Sequence, residues 1–184
     1  MIENVHIKKR GRKMVNPDEV SAKAQRLKEQ NYKFRTFLRN HADDDVLDAQ
    51  FLELHKELFV GYNCCKCANC CKTYRIILDN GEIKRIATYL GMTEYDFVTE
   101  HLTNADADDE KPYTIKKKPC PFLYDDGRCR IQDCKPDVCT EFPYTDHHER
   151  LSSMYSVIEH AEVCPVVFEI LERLKLIYRF RNRV

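Results

Sequence analysis

Apolar residues recur at helical spacing near the start of the chain. Val20, Ala24, Leu27, Phe34 and Leu38 are separated by charged and polar positions, a pattern that predicts amphipathic helix. Its start is marked by Asn16-Pro17-Asp18-Glu19: a capping Asn, Pro in the first turn, and acids at the positive end of the dipole. A second stripe, Leu47, Phe51, Leu54 and Leu58, predicts a helix from Asp44 to Phe59. Together they read as a helical hairpin that, with a basic N-terminal tail, takes up residues 1–60 and packs against the domain that follows, and as the surface an unknown protein partner would use. Past residue 60 the pattern shortens. "TYRIIL" (Thr73 to Leu78) predicts a strand ended by Asp79-Asn80-Gly81. Ile83, Ile86, Ala87 and Leu90 predict a short helix stopping at Gly91. Thr93 and Asp96 open the next one in capping-box fashion, with Phe97 and Val98 inward. An acidic loop occupies 103–112. "PFLYDDGRCRI" (Pro121 to Ile131) reads as a tight hairpin around Asp126-Gly127. The stretch from Asp133 to Pro143 holds two prolines and predicts irregular chain or one helical turn. A last helix is expected from Glu159 to Phe180, with Val163, Val167, Ile170, Leu174 and Ile177 inward and Arg179, Arg181 and Arg183 at its negative end.

These elements predict an α+β fold, mainly α: a small, metal-stapled, cysteine-rich domain over residues 61–184 with short β-hairpin elements, preceded by the helical hairpin. The charge balance is 30 basic against 30 acidic residues. A neutral total gives no global attraction to nucleic acid or an anionic membrane. The basic run from Lys8 to Lys13 reads as a solvated end. No apolar run approaches the roughly 20 residues that span a bilayer, and the first residues lack the apolar stretch of a secretory signal. A cytoplasmic location is the expectation.

The cysteines change the picture. There are ten, and five of them fall in the eight positions from Cys64 to Cys71. Five thiols so close cannot all face a core, and a reducing compartment keeps them from forming disulfides. Clustered cysteines in such a chain point to metal. Cys64, Cys67 and Cys70 follow C-x2-C-x2-C, a spacing that lets successive thiolates converge on one centre. One such knuckle suits zinc. Three in series resemble bacterial ferredoxins, where a fourth cysteine followed by proline completes the ligation. Cys120-Pro121 and Cys164-Pro165 are two such pairs. Side chains of adjacent residues diverge in an extended chain, so Cys64 with Cys65, and Cys70 with Cys71, serve two centres or leave spare thiols. In a tight hairpin Cys129 would lie opposite Tyr124, about 13 Å along the ladder from Cys120, which would assign these two to different centres.

The ordered set of motifs resembles a known family. C-x2-C-x2-C-C (Cys64, Cys67, Cys70, Cys71) precedes a strand and a Glu-containing helix ending in "YLG". "CPFL" (Cys120 to Leu123), "GRCRI" (Gly127 to Ile131), "KPDVCTEFP" (Lys135 to Pro143) and Cys164-Pro165 come after it. This is similar to the YkgJ-type cysteine-cluster proteins, or CxxCxxCC domain, held to chelate zinc or iron. The resemblance spans about residues 61–170. It implies a metal-ligand set of Cys64, Cys67, Cys70, Cys71, Cys120, Cys129, Cys139 and Cys164, with Cys65 and Cys134 extra. The family has Arg where this chain has Lys135, and Arg again where it has Thr140. A relative resembling flagellin lysine methylases, which use an iron-sulfur centre and S-adenosylmethionine, implies iron-sulfur ahead of zinc.

Three function classes are compatible with these residues. The first is an iron-sulfur protein (4Fe-4S) in electron transfer or redox sensing. The second is a structural zinc interaction protein, in which four cysteine thiolates leave no open catalytic position. The third is an iron-sulfur-dependent enzyme acting on a protein. In that reading Cys65 or Cys134 is a free nucleophile and His147-His148 a base, although a solvated loop explains the His pair as well. The C-x3-C-x2-C spacing of radical enzymes is absent.

Overall fold

A computed structural model describes residues 14–105 and 112–181. In chain order its elements are α1 (Val20–Arg26), α2 (Lys28–His41), α3 (Asp44–Phe59), α4 (Cys64–Cys67), α5 (Asn69–Thr73), β1 (Ile77–Leu78) and α6 (Asn80–Leu90). Then come α7 (Glu94–His101), β2 (Leu102–Asn104), β3 (Tyr113–Ile115), α8 (Asp137–Glu141), α9 (Met154–His160) and α10 (Pro165–Ile177). The fold is the expected α+β, mainly α. The chain forms two compact units: one takes the chain up to Tyr62 and from Pro143 onward, the other runs from Asn63 to Phe142. The basic run Lys8 to Lys13, the centre of the acidic loop and Arg183 lie outside the described residues. No helix among the described residues is long and apolar enough to cross a membrane.

The first unit is helical. Asn16 caps a 3₁₀ turn, Pro17–Glu19, by accepting the Asp18 amide. The predicted first helix breaks at Leu27, where φ −99° and ψ 2° end α1 and α2 begins. α3 matches its expected span, capped by Asp43, whose carboxylate accepts the Val46 amide at 3.1 Å. The two predicted stripes find their cover in the last helices: α3 packs on α10 and α2 on α9. Leu38, Leu47 and Phe51 are fully buried there, each contributing about 1.5–3 kcal/mol through lost apolar exposure. The expected continuous helix from Glu159 to Phe180 is corrected to two, α9 and α10. Pro165 has no N–H to continue a helix and a φ that suits a first turn, so a new helix starts there.

Between Pro143 and α9 the chain winds tightly, with Tyr144 and Glu149 both at φ 60°. Asp48 of α3 fixes it by accepting the amides of Glu149 and Arg150, each at 2.8 Å. The Arg150 guanidinium donates to the Tyr144 and His148 carbonyls. His55 bonds the fully buried Thr145 hydroxyl at 2.8 Å. Next to this loop, His160 stacks over Tyr144 with ring centroids 5.6 Å apart. Burial holds its imidazole below the usual value of 6.5; the Pro143 backbone raises it and the Arg150 charge lowers it further. Protonation is then easier in the unfolded chain, so the contribution of this group is complete above about pH 6.5 and is lost as pH falls through the folded value. Between about pH 6.5 and 5, His160→Gln is expected to flatten the fall of melting temperature with acid. An unchanged slope would remove His160 from that linkage.

The second unit is built from short pieces. Asp79 and Glu82 form a reciprocal capping box at the start of α6, each accepting the other's amide at 2.8 Å. α6 ends at Gly91, which takes the left-handed conformation, φ 70°. Thr93 caps α7 by accepting the Asp96 amide, and Phe97 is buried while Val98 is half-buried. Phe97 stacks against Phe122, 6.1 Å between centroids. The expected strand Thr73 to Leu78 is corrected: Asn69–Thr73 is helical, and only Ile77–Leu78 pairs. Its partner is β3, the centre of an antiparallel sheet of order β1-β3-β2. β2 and β3 flank the acidic stretch expected to be loop, joined across it by the Ala105 amide to the Pro112 carbonyl at 2.8 Å.

Candidate metal centre

None of the ten cysteines is joined in a disulfide, and nine of them belong to the second unit. Their placement starts with α4 and α5. Asn63 caps α4 by accepting the Lys66 amide. Ala68, at φ 50° and ψ 16°, then turns the chain left-handed, ending α4 and opening α5. C-x2-C-x2-C-C therefore lies on two single helical turns with a sharp bend between Cys67 and Cys70. Residues three apart on a helix share a face, which puts Cys64 and Cys67 together. Cys67 is buried, Cys70 and Cys71 half-buried, Cys64 and Cys65 exposed.

Two more segments join this turn. The Cys120 amide donates to the Cys71 carbonyl at 2.8 Å, tying the Cys-Pro segment to α5. The hairpin beyond it pairs Leu123 with Cys129, through Tyr124 N–H to Arg128 C=O at 2.9 Å and Arg130 N–H to Phe122 C=O at 2.8 Å. The expected register, Cys129 opposite Tyr124, is thus corrected by one residue. Cys120 also leaves the ladder, because the Leu123 amide turns back to its carbonyl at 3.0 Å. A bent rather than straight arm removes the reason for assigning Cys120 and Cys129 to separate centres, and each raises the pKa of other thiols beside it. At the hairpin tip Gly127 takes φ 82° and lies against the backbone of Cys65.

α8 supplies Cys139, half-buried. Burial pushes its thiol up to about 12, with Cys120, Cys71 and Cys129 adding to the push. Burial likewise raises Cys120 to about 11; its bond from Phe122 opposes this while Cys71 and Cys129 reinforce it. Cys129 and Cys64 are raised too, again mainly by burial. Cys71 goes the other way, to about 6, because Cys70 donates a hydrogen bond to it; burial opposes that, and Lys135 and Lys118 help it. Thiols from four separate segments are therefore close enough to set each other's charge. Two lysines, the one at 135 where the family has Arg and the one at 118, bring positive charge to the same place; burial lowers Lys118 and the thiolates support its charge. Sequence reasoning named Lys135 only as a departure from the family and missed Lys118, whose signal is its place two residues before Cys120.

Among the described residues, no three Cys, His, Asp or Glu side chains are already gathered into a group that could hold a metal ion. The donor chemistry nonetheless fits zinc or iron: the ligands on offer are sulfur alone, from reduced, mutually interacting thiols. Of the expected eight, Cys64, Cys67, Cys70, Cys71, Cys120, Cys129 and Cys139 of the second unit are linked by pairwise electrostatic interactions, and the two extra thiols join them, Cys65 through Cys64 and Cys129 and Cys134 through Cys129. Cys164 is buried at the N-cap of α10, in the helical unit. Cys134 ends a 3₁₀ turn, Gln132–Cys134, buried beside Arg85.

Residues 63–165 match the family model "CxxCxxCC: putative zinc- or iron-chelating domain". The chain belongs to the CxxCxxCC family. No curated protein and no solved structure matches it. The CxxCxxCC match begins one residue before Cys64 and ends one past Cys164, so it takes in all ten cysteines. Family membership supports metal binding through these cysteines.

Proposed function

We propose that this CxxCxxCC protein holds an iron-sulfur cluster and serves in electron transfer or redox sensing. Cys64, Cys67, Cys70, Cys71, Cys120, Cys129 and Cys139 are the ligand pool. The observation that carries the reading is the ferredoxin-like triple spacing of Cys64, Cys67 and Cys70, set on α4 and α5 around the left-handed turn at Ala68. Thiols of three further segments, Cys120, Cys129 and Cys139, act electrostatically on Cys71 or on one another and extend the pool of sulfur donors. The chemistry supplied by a cluster bound here is one-electron uptake and release. The chain's own residues do the rest. α4 and α5 present the first thiols, the Cys71 carbonyl holds the Cys120 segment, and Lys118 and Lys135 offset the negative charge of thiolates. Thiols raised by burial and by each other must shed protons to ligate, so binding releases protons and tightens as pH rises.

The test is anaerobic purification followed by metal and acid-labile sulfide analysis and a visible absorption spectrum. A brown protein with iron and sulfide in cluster proportion is expected. A colourless protein carrying one zinc would overturn the iron-sulfur reading and leave the structural zinc protein in its place.

A further inference from the structure

Helix α6 presents three polar side chains along one face, Glu82, Arg85 and Tyr89, at spacings of three and four. All three engage the segment Asp133–Asp137. Glu82 is 1 % exposed. One of its carboxyl oxygens accepts the Asp79 amide within the capping box, and the other accepts the Asp137 amide at 2.7 Å. Arg85 donates from Nη2 to the Lys135 carbonyl at 2.9 Å and meets the Asp137 carboxylate at 3.3 Å. The Tyr89 hydroxyl reaches Asp133 at 3.5 Å.

The segment needs such holding. Pro136 within it has no N–H, and α8 spans five residues, too short to stand alone. Its first-turn amide at Asp137 is one of the groups that a helix start leaves without an internal partner. The buried Glu82 carboxylate accepts this amide while capping its own helix, so both of its oxygens are bonded. Two residues beyond Asp137 is Cys139, and inside the clamp is Lys135.

We infer that Glu82 and Arg85 are positioning residues for the Cys139 thiol: a polar clamp from α6 that fixes α8 so that Cys139 faces the other sulfurs. Its purpose rests on the metal-binding reading; the clamp itself does not.

The two are separated by working on the full chain as purified anaerobically in its reduced state, with whatever metal it carries. Alkylation of each cysteine by iodoacetamide is timed by mass spectrometry, alongside hydrogen exchange of the Asp137–Glu141 amides. Glu82→Gln replaces one acceptor by an NH2 that faces a donor. It is expected to speed Cys139 alkylation and local exchange about tenfold, the factor for about 1.4 kcal/mol, while Cys67 labelling and the melting of the helical unit stay unchanged. Arg85→Ala, at an exposed position, is expected to act in the same direction by about threefold, and Arg85→Lys to recover part of that. The same rank order is expected for metal loss to a chelator from loaded protein. If Glu82→Gln fails to fold, Arg85→Ala decides. Unchanged Cys139 labelling in Arg85→Ala overturns the clamp. A wild-type protein that takes up neither iron nor zinc, with the labelling order as expected, overturns the metal reading and leaves the clamp standing.

Discussion

Gly127→Ala is expected to break the cysteine-rich unit at its hairpin. A Cβ added there would stand 1.8 Å from the Cys65 carbonyl oxygen and 2.7 Å from its carbon. Both are backbone atoms, which cannot swing aside as a side chain can. The position also has φ 82°, where an L residue alone costs of order 1–3 kcal/mol. Gly91 makes the comparison clean: its φ is 70°, and an added Cβ would meet nothing within 4 Å. Gly91→Ala therefore measures backbone strain alone, and Gly127→Ala measures strain plus clash. The second is expected to exceed the first by about 2 kcal/mol or more, within the range of overpacking, and to lower metal content as Cys129 moves away from α4. Equal losses in the two variants, read from denaturant melts, would mean that the hairpin tip does not rest on Cys65.

Removing the metal is expected to have the other large effect. The thiols proposed as ligands come from four segments and lie on or beside short elements: α4 has four residues, and α5 and α8 five each. Metal binding free energy in such a unit is folding free energy, on the order of 10 kcal/mol for small zinc domains. Chelation should therefore lower protection from hydrogen exchange across Asn63–Phe142 far more than in α3 and α10. Cys67→Ser, which takes a buried sulfur from the middle of the triple motif, should reproduce most of that loss. Cys65→Ser should be mild, because the Cys65 backbone, not its exposed thiol, receives the hairpin. Full metal content in Cys67→Ser would exclude Cys67 as a ligand, and collapse in Cys65→Ser would add Cys65 to the set.

Helices were legible where period and punctuation agreed. α3 matches the bounds expected from the Leu47, Phe51, Leu54 and Leu58 stripe, and the structure adds the Asp43 cap at its start. Where one signal was read alone it misled. The periodic residues Val163 to Ile177 ran on through Pro165, which restarts the helix. β-branched Ile76 and Ile77 drew the strand back over Thr73, which completes α5. β2 and β3 were invisible because Thr103, Asn104, Tyr113 and Thr114 carry no apolar alternation, and the third strand of their sheet comes from far along the chain. At the site, spacing alone named Cys64, Cys67 and Cys70, and the family resemblance named the outlying cysteines. The partners that set their charge and position, Lys118, Glu82 and Gly127, depend on contacts between segments that one sequence does not record. The D-x-x-E of Asp79 and Glu82 was a readable capping signal, but its second hydrogen bond, to Asp137, was not.

The helical unit is discontinuous in the chain: α1 to α3 come before the cysteine-rich unit, α9 and α10 after it. During synthesis Leu47, Phe51 and Leu54 leave the ribosome without the surface that will cover them, and nine thiols emerge before that surface is made. Vectorial translation thus sets an order in which the sulfur-bearing segment is complete and open to cofactor loading before the last two helices can close the apolar core.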